Sequence, residues 1–120
     1  MTMDFEISFY KDAEGKSPVE EYLLKLSTVN RMLVAKTRSG IEKLRNRAYH
    51  RPPLSKHIES GLWELRVNAG NDILRVLYTF EKGQVIILLH GFVKKQQKMP
   101  ISELETARKR LKELKEKSRL

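Results

Sequence analysis

Alternating apolar and polar residues predict several β-strands. The N-terminal segment "DFEISFY" has period two, and so do "LWELRVN" and "ILRVLYTF" further along the chain. "VIILLHGF" is apolar on both faces, as expected of a central strand. Because the short segments "AGND" and "EKGQ" separate the last three strands, we expect them to form an antiparallel meander.

Apolar residues at steps of three and four predict three helices. The first begins near Pro18, and the last covers "ISELETARKRLKEL". Asn30 is a candidate cap for the second helix, and Gly40 within it either breaks the helix or allows close packing. One face of this helix carries Val34, Thr37, Ile41, Leu44 and Ala48. "HRPPLSKHIESG" is predicted to be a loop, because Pro52 and Pro53 have no backbone N–H.

The element order β-α-α-β-β-β-α predicts an α+β fold, with helices packed on one face of a small, curved, antiparallel-rich sheet. The length of 120 residues suggests one domain, residues 1–120. Cysteine is absent, which excludes disulfides and thiolate zinc sites. The N-terminus carries early acids, so it does not resemble a signal peptide, and no apolar stretch is long enough to span a membrane. We therefore expect a cytoplasmic protein.

Positive charge is the first functional indication. The formal net charge is +9, and residues 31–66 hold nine Lys or Arg against three Glu, a surplus of six. A basic surface attracts nucleic acid, anionic membranes or an acidic protein partner. General solubility is the alternative explanation.

Strand period two places one group of charges on the face opposite the core. If the apolar residues of the meander face the helices, then Glu64, Arg66 and Arg75 face the other way. The last strand then runs into three lysines without an acid, namely Lys94, Lys95 and Lys98. Arginine contacts phosphate in bidentate fashion and lysine adds a movable charge, so this face is a candidate anion-binding surface. A solvated face with Glu64–Arg66 pairing or with cross-strand pairs is the other interpretation.

Further candidates lie around this face. His57 and His90, like Glu64, are possible proton-transfer groups, although a lone histidine at a strand end is more often structural. Arg51 and Lys56 are candidate RNA contacts. Phe92 either stacks on a base or belongs to the core.

Familiar catalytic motifs are absent from the sequence. It contains no HExxH, GxSxG or Walker loop and no cluster of acids typical of a two-metal nuclease, so we expect neither metal nor cofactor. Phosphoryl chemistry would then rely on cations and on the 2′-hydroxyl of RNA. Lysines crowded by arginines have a lowered pKa and can take part in proton transfer.

The segments "GLWELR", "ILRVLY", "LLHGFVKKQQKMP" and "ISELETA", in this order, resemble the RelE/ParE superfamily of toxins from toxin–antitoxin systems, and most closely its HigB-like, phage-derived branch. The resemblance implies a toxin that cleaves mRNA in the ribosomal A site without metal. It also implies a HigA-like helix-turn-helix antitoxin, through which the complex contacts operator DNA. A gyrase inhibitor like ParE and a protein-binding module without nuclease activity are the alternatives.

The resemblance also suggests roles for individual residues. Arg66 and Arg75 occupy basic positions of the first two meander strands, and Arg75 is the candidate for holding the scissile phosphate. The lysines after the last strand would close one end of the RNA groove. Two departures leave the general base unassigned. Glu64 stands where some relatives carry a positive charge, and Met99 and Pro100 follow the lysines in place of a tyrosine.

Overall fold

A computed structural model describes residues 4–94 and 98–117. Within these ranges the elements are β1 (Glu6–Phe9), α1 (Pro18–Ser27), α2 (Arg31–Lys43), a short 3-10 turn (Arg47–Tyr49), β2 (Ser55–Glu59), β3 (Leu62–Ala69), β4 (Asp72–Glu81), β5 (Val85–Lys94) and α3 (Ile101–Lys117). Among the helices so described, none has both the length and the apolar character required to cross a membrane.

The strands form one mixed sheet in the order β1-β5-β4-β3-β2. β1 pairs in parallel with β5, and the other neighbours are antiparallel. The predicted α+β class and the meander of β3, β4 and β5 are confirmed.

The segment Ser55–Glu59 corrects the prediction of a loop before the meander. It forms β2, an edge strand in which Ser55 lies opposite Leu65 and Lys56 lies opposite Glu64. Pro52 and Pro53 precede the strand, so their missing N–H groups do not interrupt its hydrogen bonds with β3.

Helix α2 is shorter than the apolar pattern predicts. It ends at Lys43, and the side chain of Asn46 then accepts a hydrogen bond from the Ala48 backbone N–H at 2.9 Å, which starts the 3-10 turn. Asn30 caps the helix as predicted, accepting from Leu33 N at 3.2 Å. Gly40 does not break the helix, and a Cβ there would make an ordinary van der Waals contact with Cγ2 of Val67 at 3.4 Å.

The two faces of the sheet are covered by different helices. α1 and α2 cover the first face, where the core includes Leu23, Leu33, Leu65, Val76, Tyr78 and Leu88. α3 lies on the second face, where Ala107 and Leu111 belong to a core with Leu62, Leu77 and Leu89. The prediction that all helices pack on one face is therefore wrong. The physical reason is that β4 and β5 are apolar on both sides and need two covers.

We expect Gly61→Ala to destabilise the protein more than Gly15→Ala. Both glycines have positive φ, 80° and 81°, so each alanine costs about 1 kcal/mol of backbone strain. Only at Gly61 would the new Cβ also approach α3, at 3.1 Å from Cδ2 of Leu111. At this distance the Leu111 side chain must shift by a few tenths of an ångström, so overpacking adds to the loss. Urea unfolding of both variants measures the difference, and equal losses would contradict the placement of α3 on the second face.

Candidate nucleic-acid interface

The second face of the sheet has an apolar end and a charged end. α3 covers the apolar end. The charged end carries Glu64 and Arg66 on β3, Arg75 on β4 and Lys94 at the end of β5. Arg66 lies directly opposite Arg75, and Lys94 lies opposite Ile73, which is on the same side of β4 as Arg75. The prediction that Glu64, Arg66 and Arg75 share one face is thus confirmed, but this face is not free of helices, because α3 packs on it.

A buried ion pair lies at the centre of the charged end. Nη1 of Arg75 donates to Oε2 of Glu64 at 2.7 Å, and these side chains are only 6% and 1% exposed. Nη2 of Arg66 lies 3.8 Å from Oε1 of the same carboxylate, but the Arg66 side chain is 41% exposed. Two arginines facing each other across a sheet repel, so the carboxylate of Glu64 is what allows them to be neighbours.

The ion pair does not use all of its hydrogen-bonding capacity. Among residues 4–94 and 98–117, Oε1 of Glu64 and Nε of Arg75 are buried without a hydrogen-bond partner. Buried polar atoms are rarely left in this state in folded proteins, and such exceptions are explained by strain, by a bound water or ion, or by a catalytic role. One unused donor and one unused acceptor therefore lie beneath the exposed Arg66.

Lys94 is a buried cation beside this pair, with 4% of its surface exposed. Burial is the main cause that lowers the pKa of Lys94, and the charge of Arg75 lowers it further. Arg66 and Lys56 act in the same direction, whereas Glu64 opposes them. A lowered pKa leaves more of the amine neutral and able to accept a proton, as predicted for a lysine crowded by arginines.

Lys56 and Arg51 extend the positive charge toward the edge of the sheet. Lys56 is exposed and lies opposite Glu64 on the neighbouring strand β2. Arg51 is exposed and lines a cleft together with Arg66. The structure thus brings both predicted RNA contacts near Arg66: Lys56 through β2, which the sequence pattern did not reveal, and Arg51 through the loop before it.

The two histidines are not part of the charged end. His57 points to the first face, where its ring lies 4.9 Å from that of Trp63. His90 is held by α3, with Nε2 at 2.9 Å from Glu103 and Nδ1 at 3.2 Å from Arg110. Because arginine only donates and a carboxylate accepts, this arrangement suits the tautomer with its proton on Nε2. His90 therefore connects α3 to β5.

The remaining predicted residues have different surroundings. Phe92 is 4% exposed and packs in the core beneath α3, so the second of its two interpretations is confirmed. Lys98 is exposed. Lys95 lies outside the described residues.

One carboxylate and four cations make up the charged end: Glu64, with Lys56, Arg66, Arg75 and Lys94. In the part of the chain that the structure describes, no three His, Asp or Glu residues come together as a possible metal site. Sequence reasoning missed the burial of Glu64 between the arginines. The only signal was its lone acidic character on that face.

Residues 21–112 match the family described as "Phage derived protein Gp49-like (DUF891)". The chain belongs to the Gp49-like family. This is a RelE-like family associated with toxin–antitoxin systems. In the Gp49-like chain the matched range includes Glu64, Arg66, Arg75 and Lys94. No curated protein matches the chain significantly.

We expect Arg75→Ala to destabilise the Gp49-like chain by about 3–5 kcal/mol, because it leaves the Glu64 carboxylate buried without its partner. Arg66→Ala, at an exposed position, should cost less than about 1 kcal/mol. Urea unfolding of both variants provides the comparison. The double variant Glu64→Leu with Arg75→Met should regain much of the loss, because neither member of the buried pair is then left as an unpaired charge. Equal stability of both single variants would mean that the pair is not buried in solution.

We expect the stability of the wild type, relative to Lys94→Met, to rise with pH. The unfolded chain keeps its Lys94 proton up to the ordinary pKa of 10.5, whereas the folded chain releases it earlier. Folding is therefore penalised below the lowered pKa, and the penalty disappears as the pH approaches 10.5. Urea midpoints of both proteins from neutral to alkaline pH measure this difference, since other titrating groups are common to both. A constant difference would contradict the lowered pKa.

Proposed function

We propose that the chain is the toxin of a type II toxin–antitoxin system, and that it cleaves mRNA on the ribosome without a metal ion. The observation that carries this proposal is the group of four cations around the single buried carboxylate of Glu64. Two of these cations, Arg66 and Lys56, are exposed. Membership of a toxin–antitoxin-associated family supports it. The ribosome lies in the cytoplasm, where we expect the protein to act.

In the proposed complex, Arg66 contacts the scissile phosphate. It carries the exposed guanidinium of the group, and guanidinium geometry suits two phosphate oxygens at once. Lys56 adds a second exposed charge from the neighbouring strand. Arg75, which the family resemblance suggested for the phosphate, is instead a positioning residue. It is buried, and it fixes the Glu64 carboxylate that faces Arg66.

The proposed reaction is transfer of the phosphoryl group to the neighbouring 2′-hydroxyl. A base removes the 2′-hydroxyl proton, and the oxygen attacks phosphorus. The bond from phosphorus to the 5′-oxygen breaks, and that oxygen receives a proton. The products are a 2′,3′-cyclic phosphate and a free 5′-hydroxyl. Cations stabilise the extra negative charge of the pentacovalent phosphate, so neither step requires a metal.

Lys94 is the proposed proton-transfer residue. Because its pKa is lowered, a larger fraction of the Lys94 amine is neutral than for an exposed lysine, and a neutral amine can accept a proton. Because Lys94 is only 4% exposed, this role requires its flexible side chain to turn toward the bound RNA. Glu64 is less suited to the step, since it is fully buried and already paired with Arg75.

The proposed partner is a HigA-like helix-turn-helix antitoxin encoded with the toxin. An acidic segment of such a partner would cover the cations and so block RNA, and its DNA-binding domain would contact the operator. This accounts for inhibition without a conformational change in the toxin.

Expression without the antitoxin should arrest growth, and Arg66→Ala should relieve the arrest because the phosphate loses its exposed guanidinium contact. Lys25→Gln, which removes an exposed charge on α1, is the matched control and should remain toxic. Growth curves and mapping of mRNA 5′ ends in arrested cells provide the measurements. Circular dichroism confirms that Arg66→Ala is folded.

The mapping separates the competing functions. Cuts within translated codons, ending in a 5′-hydroxyl, support the nuclease. Intact mRNA together with DNA breaks and an SOS response would favour a gyrase inhibitor. If expression of the protein without the antitoxin does not arrest growth, the remaining alternative is a protein-binding module without nuclease activity.

A further inference from the structure

A second basic surface lies beside the charged end, at the open edge of β3. The pairing of β2 with β3 stops where Ser55 meets Leu65. The backbone N–H of Arg66 still donates to the Leu54 carbonyl at 2.8 Å, and beyond it Asn68 has no β2 residue opposite it. Arg66 and Asn68 border a cleft of about 560 Å³, which the 3-10 turn and the following loop close from the other side. A hollow of about 300 Å³ against α2 shares Arg66 and Lys43 with this cleft. Together these two hollows form the edge groove.

The edge groove is lined by cations without acids. Its charged residues are Lys36 and Lys43 from α2, Arg51 from the loop, and Arg66. All four are exposed. Among the described residues, no ion pair involves Lys36, Lys43 or Arg51. Charges that the fold leaves without counter-charges attract an external anion.

An exposed aromatic ring lies in the same groove. Tyr49, in the 3-10 turn, is 41% exposed and lines the larger hollow. Nζ of Lys43 lies 5.7 Å from the centroid of its ring. An exposed ring beside cations is the arrangement with which proteins hold single-stranded nucleic acid, since a base stacks on the ring while the cations contact phosphates.

Arg66 belongs to both surfaces. It faces Glu64 at the charged end and also lines the edge groove. A strand of RNA whose phosphate lies on Arg66 can therefore continue over the edge of β3 toward Arg51 and Tyr49 without crossing an acidic surface.

We propose that the edge groove binds the nucleotide next to the scissile phosphate of the RNA, with its base stacked on Tyr49 and its flanking phosphates on Lys43 and Arg51. This rests on the proposed RNA-cleaving function and adds a subsite to it. Single-stranded RNA fits better than an acidic protein segment, because the groove offers a stacking surface as well as charge.

Binding of a short single-stranded 2′-O-methyl oligonucleotide tests the subsite, since this probe has bases and phosphates but no nucleophilic 2′-hydroxyl. Measured by fluorescence anisotropy, Tyr49→Ala should weaken binding about tenfold, whereas Tyr49→Phe keeps the ring and should bind as the wild type does. The double variant Lys43→Gln with Arg51→Gln should reduce the slope of log affinity against log salt by about 1.4, or roughly 0.7 for each lost phosphate contact.

A charge-matched control is Lys11→Gln with Lys25→Gln. Both lysines are exposed, and they lie after β1, at the opposite edge of the sheet, and on α1. This control should keep a steeper salt slope than the groove variant. Equal slopes in the two double variants, or an unchanged affinity of Tyr49→Ala, would overturn the subsite. So would absence of binding by the wild type, or tighter binding of duplex DNA than of the single strand.

The test is independent of the proposed reaction. If mRNA is cut in cells but the groove variants bind and cut as the wild type does, only the subsite is wrong. If mRNA stays intact while Tyr49→Ala and the lysine–arginine variant lose binding, the groove binds RNA and the proposed cleavage is wrong.

Discussion

The buried ion pair between Glu64 and Arg75 is the interaction on which the charged surface depends. Without a carboxylate beneath them, two arginines in register on neighbouring strands and a lysine next to them would repel in a region of low dielectric. Glu64 offsets part of this repulsion and leaves an excess of positive charge. The carboxylate of Glu64 is therefore what makes this basic face compatible with a folded protein.

Strand geometry then decides which charges act together. Lys56 and His57 are consecutive, yet Lys56 lies opposite Glu64 on the second face and the His57 ring contacts that of Trp63 on the first. The helix α3 separates the covered part of the second face from its exposed part, because it covers Phe92 and leaves Arg66 exposed. The charged residues of the second face are thus concentrated where α3 ends its coverage of the sheet.

Sequence periodicity was sufficient for some features and not for others. The common face of Glu64, Arg66 and Arg75 followed from period two, because the opposite face must be buried. β2 was missed, since its pairing with β3 is a tertiary contact and the two prolines before it dominated the local pattern. The burial of Arg75 and Lys94 depends on a counter-ion from another strand, which no local pattern contains. The position of α3 was foreseeable, because β5 is apolar on both sides and one layer of helices could not cover it.

The parallel pairing of β1 with β5 has a consequence for synthesis of the chain. Phe5, which belongs to the first core, and the partly buried Ile7 and Phe9 lie in or next to a strand whose partner comes near residue 88. While the ribosome makes the intervening helices and hairpin, these apolar side chains have no strand to join. β1 can pair only after β5 has emerged from the ribosome. The nascent protein therefore exposes an aggregation-prone apolar segment at its N-terminus during most of its translation.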